Sequence, residues 1–171
     1  MIKETRVVYF HRKPRKSGNF SIESYFENIR KFLPVNIQVR IAVSTFESSG
    51  FFKRLYNAIE AIFRQADINH ITGDVHFLAI FLEKKKTILT IHDVAFMQNP
   101  SALKRKILQS FWLTLPALKV TYITTVSQAT KNELLKFIPF FSPEKIIVIP
   151  VFISRIFQPH PKPFNKKKPV I

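Results

Sequence analysis

The apolar positions of this chain follow two rhythms in turn. Short runs rich in β-branched and aromatic residues read as strands: Arg6 to Phe10, Val35 to Val43, Asp67 to Ile71, Thr87 to Ile91, Val120 to Val126 and Ile146 to Ile149. Between them apolar residues recur every three or four positions, as along one face of a helix. Ile22, Tyr25, Phe26, Ile29, Phe32 and Leu33 mark the first helix, with Ser21 as its cap. Phe51, Phe52, Leu55, Ala58, Ile59, Ile62 and Phe63 mark the second. Val75 to Leu82 reads as a third, N-capped by Asp74, and Leu103, Ile107, Phe111 and Leu115 form an i+4 stripe on a fourth that Ser101 caps. Gln128 to Ile138 follows Ser127, and Ser142-Pro143-Glu144 places Pro at a first helical position. About six strands interleaved with helices predict an α/β class and a doubly wound, mostly parallel, Rossmann-like sheet.

Thr87 to Ile91 is the stretch around which the rest is arranged. It lacks strict apolar/polar alternation, as a strand buried on both faces does. It stops at two ionisable side chains, His92 and Asp93. Ligands of open α/β sheets sit just outside the carboxyl ends of the strands, so this pair is the first candidate for chemistry, the other reading of His92 being a buried histidine satisfied by Asp93 or by backbone. His70 and Gly73 lie near the carboxyl end of another strand, and Ser127 begins a helix at the same edge, where it also fits a plain N-cap. His76 falls inside a helix and reads as surface or core filler. The basic loop from His11 to Asn19, with Gly18, runs into a helix start, where backbone N–H groups bind anions. A tight turn with solvated charges accounts for the same loop equally well. The stripe from Leu103 to Leu115 is expected to pack on the sheet; Lys104, Arg105 and Lys106 beside it, with Trp112 off it, offer a second reading as a surface for anionic membrane.

Composition narrows the classes. The length of 171 residues suits one domain, and 46% hydrophobic residues with 18 Phe argue for a packed core. The absence of cysteine excludes disulfides, thiolate metal sites and a Cys nucleophile. Against 27 basic residues stand 11 acidic ones, a net charge of +16 that favours an anionic partner. Gly18, Gly50 and Gly73 are the only glycines, so no G-x-G-x-x-G or P-loop exists, and G-x-S-x-G and H-E-x-x-H are missing too. No metal, cofactor or nucleic-acid partner is expected. The start lacks the apolar core of a signal peptide, and no apolar run approaches ~18 residues, so the expected location is the cytoplasm, with contact to the inner membrane face. From Gln158 the chain turns Pro- and Lys-rich, which reads as a linker over 158–171 leading to a new strand at Val170-Ile171.

Five segments in order carry a resemblance. Ser21-Ile22-Glu23, then Asn69 to His76, Thr90-Ile91-His92-Asp93, Thr125-Val126-Ser127 with Lys131, and Glu144 to Pro150 resemble the amino-terminal half of family 4 glycosyltransferases. The resemblance implies a GT-B architecture of two Rossmann-like halves, in which residues 1–157 are the acceptor-side half. It implies sugar transfer from a nucleotide-sugar to a hydroxyl of a sugar or lipid-linked acceptor, without metal and with retained anomeric configuration. His92 would lie near the reacting sugar, and Gly18 with Asn19 near the donor diphosphate. The donor-binding half, with its paired glutamates, would be missing, so the expectation is a truncated, inactive glycosyltransferase domain. The alternative is a non-catalytic binding module that pairs with a separate donor-domain chain. After Pro150 the chain departs from the family by continuing Val151-Phe152-Ile153 instead of a polar turn.

Overall fold

The computed structural model describes residues 3–14, 21–98 and 101–151. Six strands form one sheet: β1 (Thr5–His11), β2 (Ile37–Val43), β3 (Ile68–Ile71), β4 (Thr87–Ile91), β5 (Tyr122–Thr125) and β6 (Ile146–Val148). Every pairing is parallel and the order is β2-β1-β3-β4-β5-β6. The strand order reverses between β1 and β3, and such a switch point opens a crevice at the carboxyl edge. The expected doubly wound α/β fold is present.

Alternation along the strands builds two unequal layers. Val8, Phe10, Ile71, Leu89, Ile91 and Ile123 face the main core. There they meet α2 (Phe51–Ile62) through Ala58 and Ala61, and α5 (Gln128–Phe137) through Leu134. Val7 and Tyr9 face the other way, onto Phe26 of α1 (Ser21–Arg30), with Ile37, Val39 and Ile68 around them. Beyond α1, no helix among the described residues covers that second face. Tyr122, Ile147 and Ile149 of its far half are exposed. β2 begins at Ile37, two residues later than the alternation suggests, and Val35 is exposed in the preceding turn.

Two segments differ from their sequence reading. Val75 to Leu82 forms no α-helix but a 3-10 turn, His76–Ile80, whose N-cap position falls on Val75. Asp74 takes φ 42° instead of capping, and its carboxylate goes to Arg12. The helix after Pro100 is interrupted: α3 (Ala102–Leu108) runs into a π turn at Gln109–Thr114 and then α4 (Leu115–Leu118). Pro116 has no N–H with which to close an α-helical bond to the Trp112 carbonyl, and His76 Nδ1 donates to that carbonyl at 2.9 Å. The wide turn shifts the phase of the helix, so Leu113, Pro116 and Ala117 meet the core. The i+4 stripe does not pack on the sheet; Leu103, Ile107, Phe111 and Leu115 are all exposed. Among the described residues no helix is long and apolar enough to cross a membrane.

Candidate active site

β4 delivers His92 to the carboxyl edge, one residue past its last strand position. Its Nε2 lies 2.8 Å from the main-chain oxygen of Thr72, at the end of β3. A carbonyl only accepts, so Nε2 carries the proton and Nδ1 is the acceptor of the neutral ring. The imidazole rests against Gly73: a Cβ there would stand 3.0 Å from His92 Cδ2 and 3.2 Å from Ile22 Cδ1 of α1. Gly73 also has φ 148°, which side-chain-bearing residues avoid. Two independent reasons therefore require glycine beside this histidine. From the other side Thr130 Oγ1 donates to the His92 carbonyl at 3.3 Å. Thr130 is itself tied to α5's N-cap, its N–H reaching Ser127 Oγ at 3.1 Å. Ser127 thus acts as a cap and steadies His92 at one remove.

The other predicted residues divide. His70 is half-buried on the second face, edge-on to Tyr9 at 5.3 Å and to Phe26 at 5.2 Å. Its Nε2 lies 2.7 Å from Thr90 Oγ1, which lies 2.7 Å from Thr124 Oγ1, giving a polar chain across three strands. Burial pushes the His70 pKa down to about 4, and the neighbouring His11 and His92 oppose a further charge. Asp93 is exposed and its Oδ1 accepts from the Ala95 N–H at 2.9 Å, capping the 3-10 turn Ala95–Gln98. It turns away from the role of a partner to the His92 ring, whose bond goes to backbone. His76 is buried on the main-core side with its pKa lowered by burial, a structural residue. Gly18 and Asn19 lie outside the described residues, as do residues 158–171.

The sequence reading missed a cluster beside His92. Arg12, just past β1, is 8% exposed and pairs with Glu23 of α1 at 3.0 Å and with Asp74. One guanidinium thus ties a strand end, a helix and the Gly73-Asp74 turn together. His11 Nδ1 lies 2.9 Å from Thr72 Oγ1, whose own proton goes to the Phe10 carbonyl at 2.9 Å. Burial lowers the His11 pKa. His11, His70 and His92 surround Phe26 at 6.0, 5.2 and 6.4 Å between ring centroids. Beneath α1 a pocket of about 310 Å³ runs from Tyr25 and Phe26 past His70, Thr90 and Thr124 to Pro150. The available signal was Glu23 in the first turn of a helix, in a chain with 11 acidic residues. Among the described residues no three His, Asp or Glu side chains group as metal ligands.

The arrangement offers one imidazole whose Nδ1 is the accepting nitrogen of the tautomer that Thr72 selects, held rigidly at a crevice, and next to it an apolar, aromatic pocket floored by hydroxyls. A family model described as Glycosyltransferase Family 4 matches residues 6–155. No curated protein matches the chain.

Proposed function

The chain belongs to glycosyltransferase family 4, and from that premise we propose that it is the acceptor-side domain of a sugar transfer from a nucleotide-sugar. In this reading a bond forms between an acceptor hydroxyl oxygen and the anomeric carbon. The bond from that carbon to the donor's diphosphate breaks, and the nucleoside diphosphate leaves with the electron pair. His92 Nδ1 accepts a hydrogen bond from the reacting hydroxyl and so orients and polarises it. The pocket beneath α1 receives the acceptor. Donor discrimination falls to a second Rossmann-like domain or chain across the crevice.

The observation that carries this reading is the His92–Thr72 bond beside Gly73. It fixes one tautomer and leaves the acceptor nitrogen to a ligand. The test is nucleoside diphosphate release from a panel of nucleotide-sugars and acceptors. The chain is assayed alone and with a separately expressed family 4 donor domain added. Release is expected only in the combined assay, and only with His92 present. Turnover by the chain alone, or combined turnover that ignores His92→Ala, would overturn the reading in favour of a non-catalytic binding module or a complete enzyme of other geometry.

A further inference from the structure

α2 is apolar on two opposite faces. Ala58 and Ala61 point into the main core, with Asn57 buried beside them. The face turned away from the sheet carries Phe52, Tyr56 and Ile59, and Phe63 continues it at the C-cap. Phe52 and Phe63 are 82% and 83% exposed, and Tyr56 and Ile59 are 51% and 46% exposed. A helix at the surface of a monomer turns a polar face to water, whereas one that is apolar on both sides belongs between two layers. The described residues supply only one of those layers.

Spacing and charge identify the other. Phe52, Tyr56, Ile59 and Phe63 follow at intervals of four, three and four, the seam spacing of paired helices. That series reads the same from either end. When two copies of α2 lie antiparallel about a two-fold axis, Phe52 meets Phe63 of the second copy and Tyr56 meets Ile59. The flanks of the seam agree with this pairing. On one side Leu55 comes opposite Ile62, and on the other the exposed Lys53 comes opposite Glu60, which Arg64 holds in place at 2.6 Å. A parallel pair would instead set Lys53 against Lys53. Covering the four seam side chains removes on the order of 500 Å² per copy from water, about 1,000 Å² for the pair, the lower bound of a specific interface. We infer that the chain forms a two-fold symmetric, reversible dimer through antiparallel α2 helices. The seam lies on the main-core side of the sheet, away from the His92 crevice, so it stands or falls apart from the transfer reaction.

Two copies that each carry a net charge of +16 repel one another, so salt should favour this dimer, whereas it would weaken the binding of an acidic partner. Sedimentation equilibrium of the full chain from ~1 to ~500 μM should show monomer and dimer in exchange, the dimer gaining as salt rises toward ~0.5 M. Phe63→Glu should weaken association by ~10²-fold or more, because the symmetry applies the change twice. Its unfolding midpoint should stay unchanged, and Phe52→Glu at the other end of the seam serves as the second variant. The chain has no cysteine, so introduced ones report the orientation. Phe52→Cys chains mixed with Phe63→Cys chains should cross-link on mild oxidation. Phe52→Cys chains alone should not, since antiparallel packing separates the two copies of that position by ~16 Å. A chain that stays monomeric throughout, or a dimer that both Glu variants leave intact, would overturn the inference. So would association that salt weakens, or cross-linking of Phe52→Cys with itself.

Discussion

His92 Nε2 lies 2.8 Å from the carbonyl oxygen of Thr72, so the residue following β3 dictates the tautomer of the residue following β4. The bond spans two neighbouring strands, and its acceptor is part of the sheet's own backbone, which no side-chain rotation can withdraw. The ¹⁵N spectrum of the chain labelled at histidine should therefore show the single proton of the neutral His92 ring on Nε2. In the proposed assay with an added donor domain, His92→Ala should lower turnover by ~10²-fold, the usual worth of a positioned acid–base or polarising group. Spectra with the proton on Nδ1, or near wild-type turnover, would remove His92 from the reaction.

Gly73→Ala should be costly for its size. The new methyl meets His92 and Ile22, and the backbone must hold φ 148° with a side chain. A strained backbone position of this kind costs ~1–3 kcal/mol. Urea unfolding should show a loss in that range, together with a moved His92 resonance. A change below about 0.5 kcal/mol, the size expected for an unremarkable surface substitution, would contradict the geometry.

Acid should weaken the fold before the carboxylates titrate. The His70 pKa is depressed to about 4 in the folded protein against 6.5 when free. Between those two values the unfolded chain binds the proton and the folded chain does not, so stability falls as pH falls. Above about 6.5 this histidine contributes no slope, and by pH 4 its loss is complete, at most ~3 kcal/mol. Unfolding free energies measured from pH 7.5 to 4 should show this decline, and His70→Asn should flatten it. Burial lowers His11 and His76 in the same direction, so part of the slope should survive in the variant.

Arg12→Met should destabilise by ~2–3 kcal/mol. Removing one partner of a buried ion pair costs ~3–5 kcal/mol, and Asp74, with 44% of its side chain exposed, recovers some of that from water. Arg12→Met with Glu23→Gln should lose less than the sum of the two single changes, because the second removes the carboxylate the first leaves stranded. Strict additivity in thermal or urea unfolding would show the bridge between β1 and α1 to be incidental.

The strands were readable because a parallel sheet demands apolar runs, and six such runs with helical spacing between them leave little choice of class. The helix phase after Pro100 was not, since Leu103, Ile107, Phe111 and Leu115 look like any buried stripe until a π turn and Pro116 shift the register. His92 was conspicuous as an ionisable residue ending an apolar strand. Asp93 was equally conspicuous, yet its oxygen serves a backbone cap, and sequence adjacency says nothing of which way a side chain turns. The pairing of Arg12 with Glu23 escaped notice because it depends on where α1 crosses the end of β1, a tertiary relation with no local pattern.

The place of β1 between β2 and β3 has a consequence in time. β1 is an inner strand that leaves the ribosome ahead of both its neighbours, and the second of them, β3, follows about sixty residues later. At synthesis rates of ~5–20 residues per second, one edge of Val7–Phe10 waits ~3–12 s for its partner. During that interval a hydrophobic ladder edge is open to whatever strand comes near. Folding of this chain in a cell should therefore depend on chaperone occupancy early in translation. Refolding of the finished chain, where β3 is present from the start, is free of that wait.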